Sequence, residues 1–147
     1  MGKELEVRLV QQEGKNGCWA AAVNMLSLYY RSKVIFCDSP DAMSVDLQGD
    51  INTVAKLNDF HWESAETDFA SVSGVIEGGD ILLMIGDKNG TGHAMILCGY
   101  NEMNGTVKVI DPMISYPVWI AYSTNTKMNI KGYYFTLDSL WKFVDDL

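Results

Sequence analysis

"DILLMIGDKNGTGHAMILCGYNEMNGTVKVIDP", residues 80–112, is the stretch that decides the fold of this chain. It holds three apolar or alternating runs, ILLMIG, HAMILCGY and TVKVI, and the turns KNGTG and NEMNG separate them. Runs of this length divided by Asn-Gly turns are typical of antiparallel strands joined by hairpins. The stretch therefore predicts a three-stranded meander, and KGYYFTL at 131–137 predicts a fourth strand.

The residues before this meander favour helices. ELEVRLV at 4–10 alternates as a short strand does, but Ala22, Met25, Leu26 and Tyr29 then form one helical stripe. We expect a helix from about Cys18 to Tyr30, with Asn16 as its N-cap. Short helical pieces are also expected within 39–60 and within 68–80, the latter ending at Gly78-Gly79. LDSLWKFVDDL at 137–147 predicts a terminal amphipathic helix.

Helices first and an antiparallel sheet second define the α+β class. No repeat, low-complexity stretch or linker interrupts the 147 residues, so a single domain over 1–147 is expected. We expect the N-terminal helical part to pack on the C-terminal antiparallel sheet.

The charge and the hydropathy of the chain exclude several classes of partner. With 11 basic and 19 acidic residues the formal charge is −8, which argues against a nucleic acid or an anionic membrane. No apolar run is long enough to span a bilayer, and no signal peptide is visible at the N-terminus. The localisation of the chain stays open between a cytoplasmic protein and a secreted or effector protein whose leader lies outside this sequence. Its oligomeric state stays open.

Three cysteines, Cys18, Cys37 and Cys98, are too few and too odd in number for a disulfide framework. Their spacing does not fit a zinc site, and no cofactor motif is present, so no metal or cofactor is expected. A Cys37–Cys98 disulfide is an alternative that the spacing leaves open. Cys98 lies in the middle of a predicted strand and is expected in the core.

Cys18 falls in the first turn of the predicted helix. Unpaired backbone N–H groups and the positive end of the helix dipole stabilise an anion there, and they lower the pKa of a cysteine thiol. No acidic residue occupies that turn, so the sulfur is the group that gains from this field. Cys18 is therefore the candidate nucleophile, although a cysteine in a helix is more often an inert core residue.

A nucleophilic cysteine needs a base and a group that orients the base. His93 opens the strand HAMILCGY beside a glycine-rich turn, whereas His61 stands between a helical piece and a possible short strand, so His93 is the better candidate. If the NEMNG turn forms a hairpin, Asp111 lies opposite His93 at the same edge of the sheet. Pro112 ends that strand, so we expect Asp111 at an exposed edge.

An oxyanion needs hydrogen-bond donors as well. The backbone N–H of Cys18 is one, and the side-chain amide of Gln12 is the second candidate. Gln11 is its rival, because the two glutamines are adjacent.

QxxxxxCWAAAxxML, GHAMILCGYN and VIDP occur in an order that resembles the papain-like cysteine peptidases, over residues 11–112. Within that clan the chain is most similar to a compact bacterial branch, which holds bacteriocin-processing (double-glycine leader) peptidases and stand-alone or effector-type peptidases. The resemblance implies Cys18 as nucleophile and His93 as general base and acid. It also implies Asp111 as the orienting residue and Gln12 in the oxyanion hole. Gly-Cys-Trp at 17–19, where double-glycine peptidases tend to have Asp-Cys-Gly, favours the stand-alone and effector-type relatives.

The resemblance implies a papain-like fold and hydrolysis of peptide bonds in a peptide or protein substrate through a thioester. Two other functions stay open at this point. One is a peptide-binding module with little catalysis, and the other is a transglutaminase-like acyltransferase, which shares the Cys, His, Asp order.

Overall fold

The computed structural model of the protein describes residues 2–11, 18–32 and 60–145. Within these ranges the chain forms two helices and eight strands, which confirms the α+β class. The helices are α1 (Cys18–Arg31) and α2 (Phe69–Glu77). The strands are β1 (Gly2–Glu4), β2 (Phe60–Ser64), β3 (Leu82–Lys88), β4 (Thr91–Asn101), β5 (Thr106–Ile110), β6 (Val118–Ala121), β7 (Met128–Ile130) and β8 (Tyr133–Asp145).

Helix α1 forms because its apolar residues recur at helical spacing. It begins at Cys18, as predicted, and ends one residue beyond the predicted end. Ala22, Met25 and Leu26 are fully buried, and burial of a side chain as large as leucine contributes roughly 1.5–3 kcal/mol. The positive charge of Arg31 in the last turn interacts favourably with the negative end of the helix dipole. The predicted N-cap, Asn16, lies outside the described residues.

Helix α2 confirms the helix predicted within 68–80. Its N-cap is Asp68, whose side chain accepts a hydrogen bond from the Ser71 N–H at 3.0 Å. Hydrogen bonds from Ser71 also hold the pKa of Asp68 below its usual range. The helix ends at Gly78, and Gly79 follows with a φ of 90°, a left-handed conformation that glycine adopts without strain.

All strand pairs of the sheet are antiparallel, and the strands follow the order β2-β8-β3-β4-β5-β6. β1 adds to β4, and β7 adds to the first part of β8. Because β6 and β7 also contact each other, strands β3 to β8 form a closed ring of neighbours.

Two apolar clusters lie on opposite faces of β3 and β4. The inner cluster is enclosed by the ring of strands and takes residues from α2 and from β3 to β8, among them Val72, Leu82, Met95, Val109, Ile120, Met128 and Phe135. The helix-side cluster joins α1 to the other face and includes Ala22, Val23, Leu26, Leu83, Ala94, Ile96 and Cys98. Successive side chains of β3 and β4 point alternately into the two clusters, which explains why these strands are apolar throughout.

The predicted terminal helix over 137–147 is wrong. The chain continues as β8 up to Asp145, and residues 141–145 pair with β2. The aromatic and β-branched residues Trp141, Phe143 and Val144 fit a strand as well as a helix, and the neighbouring strands supply the backbone partners that select the strand. A bulge at Asp138 shifts the pairing of β8 with β3 by one residue.

Other predictions hold in part. The alternation of residues 4–10 is real, because Leu5, Val7 and Leu9 pack against the helix-side cluster, but the strand itself ends at Glu4. Strands β6 and β7 were not predicted. The helical pieces expected within 39–60 lie outside the described residues, apart from Phe60, which begins β2. No helix in the described part of the chain is long and apolar enough to cross a membrane.

Candidate active site

His93 is held at the start of β4 by a tight hairpin. Asn89 and Gly90 connect β3 to β4 with φ angles of 52° and 84°, and two left-handed residues of this kind match the twist of a two-residue hairpin. The hairpin pairs Gly86 with His93. The apolar residues that follow His93 are buried in both clusters, and the histidine itself is only 7% exposed.

Asp111 lies within hydrogen-bond distance of this histidine. The His93 Nε2 atom is 2.7 Å from the Asp111 Oδ1 atom, and the N–H of Met113 donates to the same oxygen at 2.9 Å. Asp111 is 4% exposed, so the expectation of an exposed edge is wrong. The chain folds back over the carboxylate after Pro112, because the Ile114 N–H donates to the Asp111 carbonyl.

The predicted proximity of His93 and Asp111 is confirmed, but their register differs from a direct pair. β5 ends at Ile110, which pairs with Ile96, so Asp111 falls two residues short of the position opposite His93. A bulge at Cys98 shifts the rest of the hairpin by one residue. The two side chains meet as diagonal neighbours on one face, a separation that the histidine ring and the aspartate carboxylate bridge together.

The hydrogen bond sets the roles of the two ring nitrogens. A carboxylate only accepts hydrogen bonds, so Nε2 of His93 carries the hydrogen toward Asp111. In the neutral imidazole, Nδ1 then holds the lone pair that accepts a proton.

Tyr133 packs against His93 and was not found from the sequence. Its ring centroid is 5.9 Å from that of the imidazole, with an angle of 57° between the planes. The Lys88 ammonium lies 4.5 Å from the Tyr133 ring centroid. The contact forms because β8 pairs with β3. No sequence motif predicts a contact between residues as far apart in the chain as His93 and Tyr133.

The three cysteines have different places in the described structure. Cys18 is the first residue of α1, as predicted, although its side chain lies outside the described part. Cys98 is a free thiol in the core, also as predicted, and burial raises its pKa to about 12. Cys37 lies outside the described residues. Cys98 is therefore unsuited to form a thiolate at neutral pH.

The remaining candidates are described only in part. Gln11 is exposed at the end of the extended segment that follows β1, and Gln12 lies outside the described residues. His61 is in β2, where its backbone pairs with Val144. Two strands, β8 and β3, separate β2 from the strand of His93, a distance of about 14 Å at the usual spacing.

Among the side chains that the structure describes, no group of His, Cys, Asp and Glu has the arrangement of a metal site.

Residues 1–123 match the model of the family described as papain-like cysteine protease AvrRpt2. The chain belongs to this papain-like cysteine protease family, and it is a cysteine peptidase that acts on a peptide or protein substrate. No curated protein sequence matches the chain.

Proposed function

We propose that this peptidase cleaves peptide bonds with Cys18 as nucleophile and with His93 as general base and acid. Asp111 orients the imidazole in this proposal, and Gln12 donates to the oxyanion. The observation that carries the proposal is the buried hydrogen bond between His93 and Asp111, 2.7 Å long, at the start of a strand that α1 covers. A histidine oriented by a buried carboxylate is the arrangement that activates a thiol.

The length of α1 supports Cys18 as the partner of His93. The Tyr30 hydroxyl at the end of α1 accepts a hydrogen bond from the Ile81 N–H at 3.1 Å. Ile81 immediately precedes the β3 residue that pairs with Leu97, so this end of α1 lies near the level of Cys98 on β4. Ala94 and Ile96, which are nearer to His93, belong to the same apolar cluster as α1, and this supports a helix that runs back along β4 toward His93.

The two distances along the helix and along the strand agree. From Tyr30 back to Cys18 a helix rises about 18 Å. From Cys98 back to His93 a strand spans about 17 Å. A helix that packs along β4 and ends near Cys98 therefore begins close to the level of His93.

The start of α1 also suits a thiolate. No acidic residue stands in its first turn, so the positive end of the helix dipole acts on the sulfur. Cys98 lacks every one of these features, because it is buried in mid-strand with a raised pKa.

The proposed reaction has two steps. The Cys18 thiolate attacks the carbonyl carbon of the scissile bond, and the Cys18 N–H and the Gln12 amide stabilise the oxyanion. The tetrahedral intermediate collapses to a thioester, and the His93 imidazolium gives its proton to the leaving amine. Water then attacks the thioester, His93 takes a proton from that water, and the Cys18 thiolate leaves.

We further propose a papain-like arrangement over one domain, 1–147, within the compact bacterial branch. The closed ring of strands with α1 packed on its outer face supports this arrangement. Gly17-Cys18-Trp19 favours a stand-alone or effector-type peptidase over a double-glycine leader peptidase.

Cleavage of an unbiased peptide library, with mass-spectrometric analysis of the products, tests the proposed function. Wild type is expected to cleave a defined set of peptides, and Cys18→Ser is expected to cleave none of them. A Cys98→Ser variant is the matched control and should keep the cleavage pattern. Activity that survives in Cys18→Ser would reject Cys18 as nucleophile. Added primary amines that appear in the products would instead indicate acyl transfer.

A further inference from the structure

The last turn of α1 carries a tyrosine whose hydroxyl makes two hydrogen bonds. Tyr30 donates to the Asp80 Oδ1 atom at 3.0 Å and accepts from the Ile81 N–H at 3.1 Å. Burial, together with the Asp80 carboxylate, raises the pKa of Tyr30, so the phenol keeps its proton at neutral pH. Both bonds tie the helix to the residues that lead into β3.

Neighbouring contacts hold the same helix end. The Tyr29 hydroxyl donates to the Gly79 carbonyl at 2.6 Å, and the Lys142 ammonium lies 3.5 Å from the Asp80 Oδ2 atom. The ring of Tyr30 stacks on Phe143 of β8, with centroids 5.1 Å apart and planes 4° from parallel. The end of α1 opposite Cys18 is thus fixed to both β3 and β8.

We infer that Tyr30 and Asp80 are positioning residues, which set the place of α1 along β4 and so the position of Cys18 relative to His93. The inference rests on the proposed function, since it gives Cys18 and His93 their roles.

Hydrogen bonds are suited to this task in a way that apolar packing is not. The fully buried α1 residues of the helix-side cluster are small or aliphatic side chains such as Ala22 and Val23, and apolar contact has little directional preference. A hydrogen bond weakens steeply once its length and angle change. Because an α-helix is stiff, a shift at Tyr30 is transmitted to Cys18 over about 18 Å.

Tyr30→Phe is the variant that tests the inference, because it removes the hydroxyl and keeps the ring that stacks on Phe143. The kcat of the variant is expected to fall roughly tenfold, since displacements of an ångström at a reacting group can cost about a hundredfold. The KM should stay unchanged. The acid limb of the pH profile should move to higher pH, as should the pH at which iodoacetamide alkylates Cys18, because a displaced imidazolium stabilises the thiolate less.

Tyr122→Phe is the matched control. Tyr122 is also a half-buried tyrosine, and its hydroxyl donates to the Thr67 carbonyl at 2.6 Å, away from α1. Both variants lose a tyrosine hydroxyl, and thermal unfolding measures how much stability each one loses. Only Tyr30→Phe is expected to change the pH profile. Asp80→Asn, which keeps an oxygen to accept from Tyr30, should remain close to wild type, whereas Asp80→Ala should resemble Tyr30→Phe.

An unchanged pH profile and alkylation rate in Tyr30→Phe would overturn the inference, and so would equal changes in Tyr122→Phe. If Tyr30→Phe does not fold, the pH profile and alkylation rate of Asp80→Ala are compared with those of Asp80→Asn. Equal values in these two variants would overturn the inference. The Cys18→Ser variant separates this outcome from a failure of the proposed function. If Cys18→Ser is inactive while Tyr30→Phe behaves as wild type, only the positioning role of Tyr30 and Asp80 is rejected.

Discussion

His93 and Asp111 meet as diagonal neighbours across the β4–β5 hairpin, with Nε2 of the imidazole 2.7 Å from Oδ1 of the carboxylate. Both side chains are buried, and the Met113 N–H donates to the same oxygen. The carboxylate therefore has two fixed donors, and its oxygen cannot turn away from the ring without losing both. This rigidity makes the pair suitable for orienting a base.

Removal of the base should cost more activity than removal of the group that orients it. His93→Ala is expected to lower kcat/KM by about 10²–10⁴, the usual contribution of general acid–base catalysis. Asp111→Ala should cost less, because charge separation in a thiolate–imidazolium pair precedes the reaction. His61→Ala, on a strand about 14 Å away, is the control and should retain activity. Steady-state kinetics of the three variants measure the order, and a larger loss in His61→Ala than in His93→Ala would contradict it.

Alkylation should distinguish the cysteines. Iodoacetamide at mildly acidic pH is expected to label Cys18 rapidly, because the helix start and His93 favour its thiolate. Cys98 should react only after unfolding, since it is fully buried and its pKa is raised to about 12. Peptide mapping by mass spectrometry, with and without denaturant, reads out both sites. Equal and slow labelling of the two cysteines in the folded protein would reject Cys18 as an activated thiol.

The two adjacent glutamines should differ in their effect on turnover. Gln12→Ala is expected to lower kcat by about 10²–10³, the effect of removing one oxyanion donor. Gln11→Ala should be nearly silent, because Gln11 is exposed at the end of the extended segment. Steady-state measurements of kcat for the two variants show which glutamine contributes to turnover. Greater damage in the Gln11 variant would show that the spacing argument for Gln12 is wrong.

Tyr133 should matter through its ring, which packs against His93. The ring lies 5.9 Å from the imidazole of His93, centroid to centroid, so we expect it to restrict rotation of the imidazole. Tyr133→Phe keeps that contact and should retain more activity than Tyr133→Ala, which should lower kcat and broaden the histidine ring signals in NMR spectra. If Tyr133→Ala turns over as fast as wild type, the ring has no part in holding the base.

A methyl group at Gly86 should destabilise the strand that pairs with His93. A Cβ there would lie 2.6 Å from Cδ2 of the buried Phe135 ring and 3.0 Å from Cε of Met95. Gly86→Ala is therefore expected to lower the free energy of unfolding by about 1–3 kcal/mol, the usual cost of overpacking. Phe135→Leu in the same chain should recover part of that loss, because it vacates the space. Denaturant unfolding of both single variants and the double variant measures the coupling, and purely additive losses would exclude this contact as the cause.

The sequence by itself determined the local elements and their chemistry. The Asn-Gly turn and the apolar runs around it specify β3 and β4, since the turn requires left-handed residues and the runs suit buried strands. The helical stripe from Cys18 specifies α1. The positions of His93 and Asp111 on either side of the NEMNG turn were enough to predict that they lie close together, because a hairpin joins their strands through that short turn.

Tertiary structure decided what depends on distant partners. Residues 137–145 have a pattern that fits either a helix or a strand, and β8 forms there because β2 and β3 supply its backbone hydrogen bonds. Asp111 is buried rather than exposed because the chain after Pro112 folds back over it. The contacts of Tyr133 with His93, and of Tyr30 with Asp80, join residues about 40 to 50 positions apart in the chain. The spacing of residues along the chain does not predict such pairs, because they form only when the sheet closes and α1 packs on it.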